Sequence, residues 1–441
     1  MSSRSAQLYE RALKVLPGGV SRNAVLRKPH PAYLAHAQGC WVTDLEGHRR
    51  LDFANNMASL IHGHAHPKIV EAVTKQLPHG TASTLATEIE VDYAEHLVGR
   101  SSSFERIRFV NSGTEGVLCC LKAARAFTNR PKIAKVEGAY HGTYDYAEVS
   151  QTASPATWGD ADHPASVPVT RGTPQSALDE VVVLPFNDLD HAITLLDAHA
   201  DQIACILIDP LPHRVGMCKA SDAYIDGLYR WTRAHQALLV FDEVITFRNA
   251  FGGSQEWYSV RPDLTALGKI IGGGFPVGAI TGRADVMDVL NPLSKSLLFP
   301  HSGTFSANPV TLTAGYTAMQ LFDRDAVERL NTLADRARNQ IAQVIADVQI
   351  PACVTGAGSM FRIHFRPTPP ADYREAFGEP HQTRAKSSLV DFMFANGVMM
   401  IETCSGTLST PMAQREIDQL CDVLLRGMKA IKPILLDGAP T

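Results

Sequence analysis

Leu264-Thr265-Ala266-Leu267-Gly268-Lys269, running on into Ile270-Ile271-Gly272-Gly273-Gly274-Phe275-Pro276-Val277-Gly278, is the stretch on which the fold turns. A short apolar run closed by glycine reads as a fully buried strand that ends in a loop. A lysine set directly after such a strand is partly desolvated, which lowers its pKa and makes the amine a nucleophile. The glycines let backbone crowd a ligand. A lysine snorkelling out of a surface loop is the ordinary alternative.

The same grammar repeats outward from this point. From about residue 68 to 285, helical stretches alternate with apolar runs at 106–110, 133–136, 204–208, 238–241 and 264–267. That alternation predicts an α/β fold whose central sheet is mostly parallel. Residues 150–180, rich in Ser, Thr, Pro and Gly, predict a long surface loop or a lid. After 310 the pattern changes to helices at 310–322 and 325–348, strands near 360–365 and 397–401, and a last helix, a smaller α+β unit. Before residue 68, a helix at 5–15 stops at Leu16-Pro17-Gly18-Gly19, and two short strands follow within 39–53. The expected division is an N-terminal arm associated with the small domain at 1–67, a large domain at 68–309 and a C-terminal small domain at 310–441.

Composition narrows the function classes. Lys and Arg number 41 against 45 Asp and Glu, a net charge of −4, so no basic field exists for nucleic acid or an anionic membrane surface. The 20% charged and 45% hydrophobic content of the 441 residues is that of an ordinary globular chain. Eight cysteines are too sparse for a disulfide scaffold. No signal core and no run of roughly 18 apolar residues is found, which predicts a cytoplasmic protein. No metal site is expected.

Ligands of open α/β sheets bind beyond the carboxyl ends of the strands, and four strand ends carry complementary groups. Val110 runs into Asn111-Ser112-Gly113-Thr114-Glu115 at a helix start, where small residues expose N–H groups to a phosphate; Ser112 and Glu115 also fit a simple capping box. Phe241 runs into Asp242-Glu243, one of which needs a buried partner unless it merely caps the next turn. Val136 is followed by Glu137-Gly138-Ala139-Tyr140-His141-Gly142, where Tyr140 either stacks on a flat ring or packs in its loop. Lys269 is the fourth. One ligand uses all four: pyridoxal 5′-phosphate (PLP), with a phosphate for the helix start, a ring for Tyr140, a pyridinium nitrogen for the Asp and an aldehyde for the Lys.

Here the chain resembles the class III, fold-type I PLP aminotransferases, the family that includes glutamate-1-semialdehyde aminomutase and β-amino-acid aminotransferases. The resemblance is carried in order by Leu16-Pro17-Gly18-Gly19-Val20-Ser21-Arg22, Gly63-His64-Ala65-His66-Pro67, Asn111 to Glu115, Tyr140-His141-Gly142, Phe241-Asp242-Glu243-Val244, the Lys269 stretch and His301-Ser302-Gly303-Thr304. It implies that Lys269 bonds the cofactor and Asp242 meets the pyridine nitrogen. It places Tyr140 and Val244 on the two ring faces with His141 beside them, and Ser112, Gly113 and Thr114 on the phosphate. Thr304 is implied to reach the phosphate of a neighbouring subunit, hence a homodimer. On the substrate side it implies Arg22, Asn56, Met57 and Arg214, with Arg22 or its rival Arg214 binding a carboxylate.

Departures bear on substrate. Asp209-Pro210-Leu211-Pro212-His213-Arg214 replaces the family's Glu-Pro and its following amide, and Asn55-Asn56-Met57 replaces the Ser-Trp of the aminomutases. The expected activity is transamination of an amino acid, β-amino or aromatic, against a keto acid. The alternatives are an aminomutase of the glutamate-1-semialdehyde type or another PLP lyase or racemase. A nucleotide-binding dehydrogenase is disfavoured, because no G-x-G-x-x-G follows a first strand.

Overall fold

The five apolar runs become strands, and two further strands join them. The computed structural model describes residues 3–436. Its large sheet comprises β1 (Arg106–Val110), β2 (Lys132–Val136), β3 (Val181–Leu184), β4 (Ile203–Ile208), β5 (Leu238–Asp242), β6 (Leu264–Gly268) and β7 (Gly278–Gly282). The order across the sheet is β1-β7-β6-β5-β4-β2-β3. β7 runs antiparallel to both its neighbours, and the remaining pairings are parallel. The sequence reading does not anticipate β3, four valine and leucine residues beside a loop-like tract, or β7, whose terminal glycines imitate a loop.

Every residue of β4, β5 and β6 is buried. Successive side chains go to opposite faces. Cys205, Leu207 and Val240 pack into one apolar cluster, while Ile206, Ile208, Leu239 and Phe241 pack into another. Burial on both faces is why these strands show no polar alternation. Each fully buried Leu or Ile contributes about 1.5–3 kcal/mol, so the strand ends are rigid platforms.

Two smaller sheets flank this core. Leu34–Gln38, Trp41–Asp44 and Arg49–Asp52 form an antiparallel meander, and Val398–Met399 adds to it in parallel, Val398 facing Leu51. Cys353–Thr355, Met360–His364 and Ser405–Thr407 form the third sheet. We propose the division at residues 67 and 309 on this pairing, because the arm shares a sheet with the C-terminal segment; residues 1–2 and 437–441 lie outside the described residues. Side-chain caps from Ser3, Asn308 and Asp323 start the helices Arg4–Ala12, Pro309–Leu321 and Arg324–Val348. The 150–180 tract is pinned: Arg374 donates to the carbonyls of Trp158, Gly159 and Asp160, and Trp158 packs edge-on against Tyr373 and Phe377.

His62 staples the arm to the helix Pro309–Leu321. Its Nε2 donates to the Ala318 carbonyl at 2.8 Å, so Nδ1 is the acceptor for the Thr410 hydroxyl at 2.9 Å. Burial lowers its pKa from 6.5 to about 4. The folded state then binds fewer protons than the unfolded state between these values, so this stability is complete above pH 6.5 and lost as pH falls toward 4. A shift of that size corresponds to about 3 kcal/mol. The expected result is a urea midpoint that drops over this window in the native chain and drops less in His62→Gln. An unchanged pH slope in the variant refutes it.

Candidate active site

The carboxyl ends of β1, β2, β4, β5 and β6 open on one cavity of about 610 Å³. At the end of β5, Asp242 accepts from His141 Nδ1 at 2.7 Å and from the Val244 N–H at 3.0 Å. The carboxylate only accepts, so the proton of the imidazole sits on Nδ1. His141 is fully buried; desolvation lowers its pKa, the Asp242 contact opposes that, and its Nε2 has no hydrogen-bond partner. Glu243 faces the other way. Its carboxylate accepts from the N–H groups of Ser254 at 2.6 Å and Gln255 at 2.8 Å, and burial raises its pKa to about 7.

Lys269 follows β6 with φ 50°, a left-handed conformation that costs a non-glycine residue about 1–2 kcal/mol. Its side chain lines the cavity, and burial lowers its pKa against the pull of Asp242 and Asp209. At the end of β1, Ser112 Oγ accepts from the Glu115 N–H at 3.1 Å, and Glu115 Oε2 accepts from the Asn111 N–H at 2.7 Å. Ser112 therefore caps the helix as expected, but Glu115 returns to the Asn111 N–H and not to that of Ser112, so the reciprocal half of a capping box is not made. The cap leaves the first-turn N–H groups of Gly113 and Thr114 beyond reach of any helix carbonyl, at the cavity wall. A Cβ at Gly113 would meet Val244 Cγ1 at 2.6 Å, and one at Gly142, φ +92°, would meet Thr114 Oγ1 at 2.5 Å. Tyr140 lines the cavity edge-on to His213, ring centroids 6.0 Å apart.

Across the cavity, Arg22 Nη1 donates to Asn56 Oδ1 at 2.7 Å, and both residues line the space. Asn56 lies in a run of four left-handed residues, Asn55 to Ala58, with φ from 44° to 69°. The turn is held from three sides. Asp52 Oδ1 accepts from the N–H groups of Ala54 and Asn55, Asn55 Nδ2 donates to the Thr407 carbonyl at 2.7 Å, and Arg248 Nη1 donates to the Ala58 carbonyl at 3.1 Å. Arg248 is itself fully buried and also donates to Ser359 Oγ and the Leu408 carbonyl.

Thus Lys269, Asp242, Ser112, Gly113, Thr114, Tyr140, His141 and Val244 come together, with Arg22 and Asn56 opposite. Three expected residues do not join them. Met57, next in the left-handed turn, does not line the cavity. Arg214 also falls outside it: its Nη1 donates to the Gln151 carbonyl at 3.1 Å and its guanidinium lies over the Tyr140 ring, 5.3 Å from its centre. Thr304 sits on an exposed loop outside the cavity. Asp209, Asn111 and Ser59 line the cavity without having been singled out as site residues. Asp209 follows an apolar strand, so the strand-end rule applied to β5 and β6 would have found it.

PLP requires an amine, an acid for its ring nitrogen, walls for a flat ring and N–H groups for a phosphate. Lys269, Asp242, Tyr140 with Val244, and the helix start at Gly113 offer these, and the missing side chains at Gly113 and Gly142 keep the space clear. The residues fit the group. Fold and site together define a fold-type I PLP enzyme of the α/β class.

Residues 23–426 match the family model for aminotransferase class III. Glutamate-1-semialdehyde 2,1-aminomutase from Methanothermobacter thermautotrophicus is 37% identical over 374 residues, 85% of this chain and 86% of that protein. An omega-transaminase from Sphaerobacter thermophilus is 45% identical, superimposes with TM-score 0.95 and covers 98% of each chain. A beta-phenylalanine aminotransferase from Variovorax paradoxus is 29% identical with TM-score 0.86, covering 97% of this chain and 94% of its own. The chain belongs to the class-III aminotransferases, enzymes whose cofactor is PLP.

Proposed function

We propose that this protein is a transaminase that moves an amino group from an amino acid, β-amino or aromatic, to a keto acid. Arg22 carries this reading. Apart from Lys269 it is the one cation lining the cavity among the described residues, and a guanidinium is the geometric match for a substrate carboxylate. The similarity to omega-transaminase and beta-phenylalanine aminotransferase structures supports the choice of donor.

PLP, when bound, supplies an electron sink for the substrate carbanion. In this reading Lys269 holds the cofactor covalently and moves the proton at the substrate carbon. Asp242, backed by His141, keeps a proton on the ring nitrogen. Tyr140 and Val244 fix the ring plane, and Ser112, Gly113 and Thr114 hold the phosphate. Asn56 orients Arg22 before substrate arrives. We also propose a homodimer in which the exposed Thr304 serves the partner's phosphate; an active monomer by light scattering at assay concentration excludes it. Among the described residues no helix is long and apolar enough to cross a membrane, and the eight cysteines are unpaired, which supports a cytoplasmic location.

Removing one charged hydrogen-bonded pair costs about 1.5–3 kcal/mol, so Arg22→Ala should raise KM for an amino acid by roughly ten- to a hundredfold. Simple amines should be spared. An unchanged KM overturns the assignment of Arg22, and no preference for acids over amines in the native enzyme overturns the amino-acid reading. The aminomutase relatives favour a second reading, isomerisation of glutamate-1-semialdehyde. Turnover of that compound with no added amino acceptor would establish it in place of transamination.

A further inference from the structure

We propose that Asp209 is a positioning residue of the cofactor site: a carboxylic acid that donates a hydrogen bond into the cavity beside Lys269, while the negative charge remains on its neighbour Asp242. The proposal rests on Lys269 as the cofactor-bearing lysine.

The geometry comes from strand register. β4 and β5 are adjacent and parallel, with Ile208 opposite Phe241. The next residues, Asp209 and Asp242, therefore stand side by side at two neighbouring strand ends, and the shared pleat sends both side chains to one face. Both line the cavity that holds Lys269. Asp209 is 5% exposed, so water does not serve its carboxyl freely.

The two acids are not served equally. Asp242 receives two donors, the imidazole of His141 and the Val244 N–H. Asp209 receives one, the Leu211 N–H at 2.9 Å, on Oδ1. Asp209 has Asp242 beside it at the end of β5, Lys269 at the end of β6 and the Leu211 N–H of its own loop, and it also feels the charge of Glu243, whose carboxylate turns away to Ser254 and Gln255, and the phenol of Tyr258. Burial first, then Asp242, raise the Asp209 pKa well above the usual carboxylate range, and the Leu211 N–H and Lys269 oppose this. A buried carboxyl with a single donor beside another acid holds its proton more readily than one in water. A protonated carboxyl is a donor as well as an acceptor. Asp209 thus gives the cavity a hydrogen-bond donor without adding charge. Asparagine would do the same, whereas an ionised aspartate would not.

The test has two independent readouts. In the cofactor-free protein, the infrared difference between the native chain and Asp209→Asn should show a protonated carboxyl C=O stretch at neutral pH; its absence overturns the proposal whether or not the variants load cofactor. In the PLP-loaded protein, the pH midpoint of the visible band is compared among native, Asp209→Asn and Asp209→Ala forms. Asn keeps the donor, so its midpoint should stay within about 0.3 units, while Ala loses a donor that stabilises the deprotonated chromophore and should raise the midpoint by about one unit. An ionised Asp209 gives the opposite sign, both variants falling because a negative charge has gone. That outcome overturns the proposal, as do three equal midpoints. If borohydride reduction of the native enzyme labels another lysine, the parent reading fails, and the infrared result still reports the state of Asp209.

Discussion

Lys269→Ala should fail to retain cofactor after borohydride reduction and should lose about four to six powers of ten in turnover, some 5–8 kcal/mol of transition-state stabilisation. The size follows from the two duties proposed for this lysine, covalent attachment and proton transfer, being lost at once. Burial alone does not single out this residue, because Lys135 in β2 is fully buried and its pKa is lowered by that burial to about 7. The difference is in what surrounds each amine. Lys135 Nζ donates to the carbonyls of Val136 at 3.1 Å and Val149 at 2.7 Å, and Lys135 is not part of the cavity wall. Lys269 lines the cavity, with Asp242 and Asp209 near its amine. Peptide mapping of the reduced native enzyme should therefore place the label on Lys269. Recovery of label on Lys135 would refute the assignment. Lys135→Met should lower stability and leave the label in place.

Strands β2, β4, β5 and β6 were legible because burial on both faces erases polar alternation and leaves unbroken apolar runs, whereas β3, buried just as fully, was missed beside its loop-like tract. The residues just beyond those runs were legible for the same reason: Asp242 and Lys269 are ionisable groups where the pattern demands a partner. β7 was hidden, since a strand that starts and ends on glycine carries the composition of a turn. The contact between His141 and Asp242 joins residues 101 positions apart, and nothing in either local pattern specifies it. The left-handed run from Asn55 to Ala58 was equally invisible, because its conformation is imposed from outside by Arg248 and Thr407. Arg214 was misplaced by loop proximity: a position near a ring does not say whether the side chain points at the ligand or, as here, at the carbonyl of Gln151. Long-range polar contacts are the part of a site that local pattern carries least.

Those contacts decide the second large effect, at Asp242. Asparagine has the same shape, and its carbonyl oxygen can still accept one of the two hydrogen bonds now made from Val244 and His141. Asp242→Asn should therefore fold, bind the phosphate end of the cofactor and melt close to the native temperature. In the proposed reading it removes the charge that would keep a proton on the ring nitrogen, and with it the electron sink, so turnover should fall by roughly three to four powers of ten, about 4–5 kcal/mol. The adjacent acid supplies the control. Glu243 is fully buried, but its carboxylate is spent on the N–H groups of Ser254 and Gln255 and on the Thr246 hydroxyl. Glu243→Gln should therefore lower the melting temperature while the turnover of each folded site stays within a few fold. Single-turnover rates normalised to bound cofactor separate the two variants. Near-native chemistry in Asp242→Asn beside a large loss in Glu243→Gln would transfer the role to Glu243 and require the β5 end to rearrange when cofactor binds.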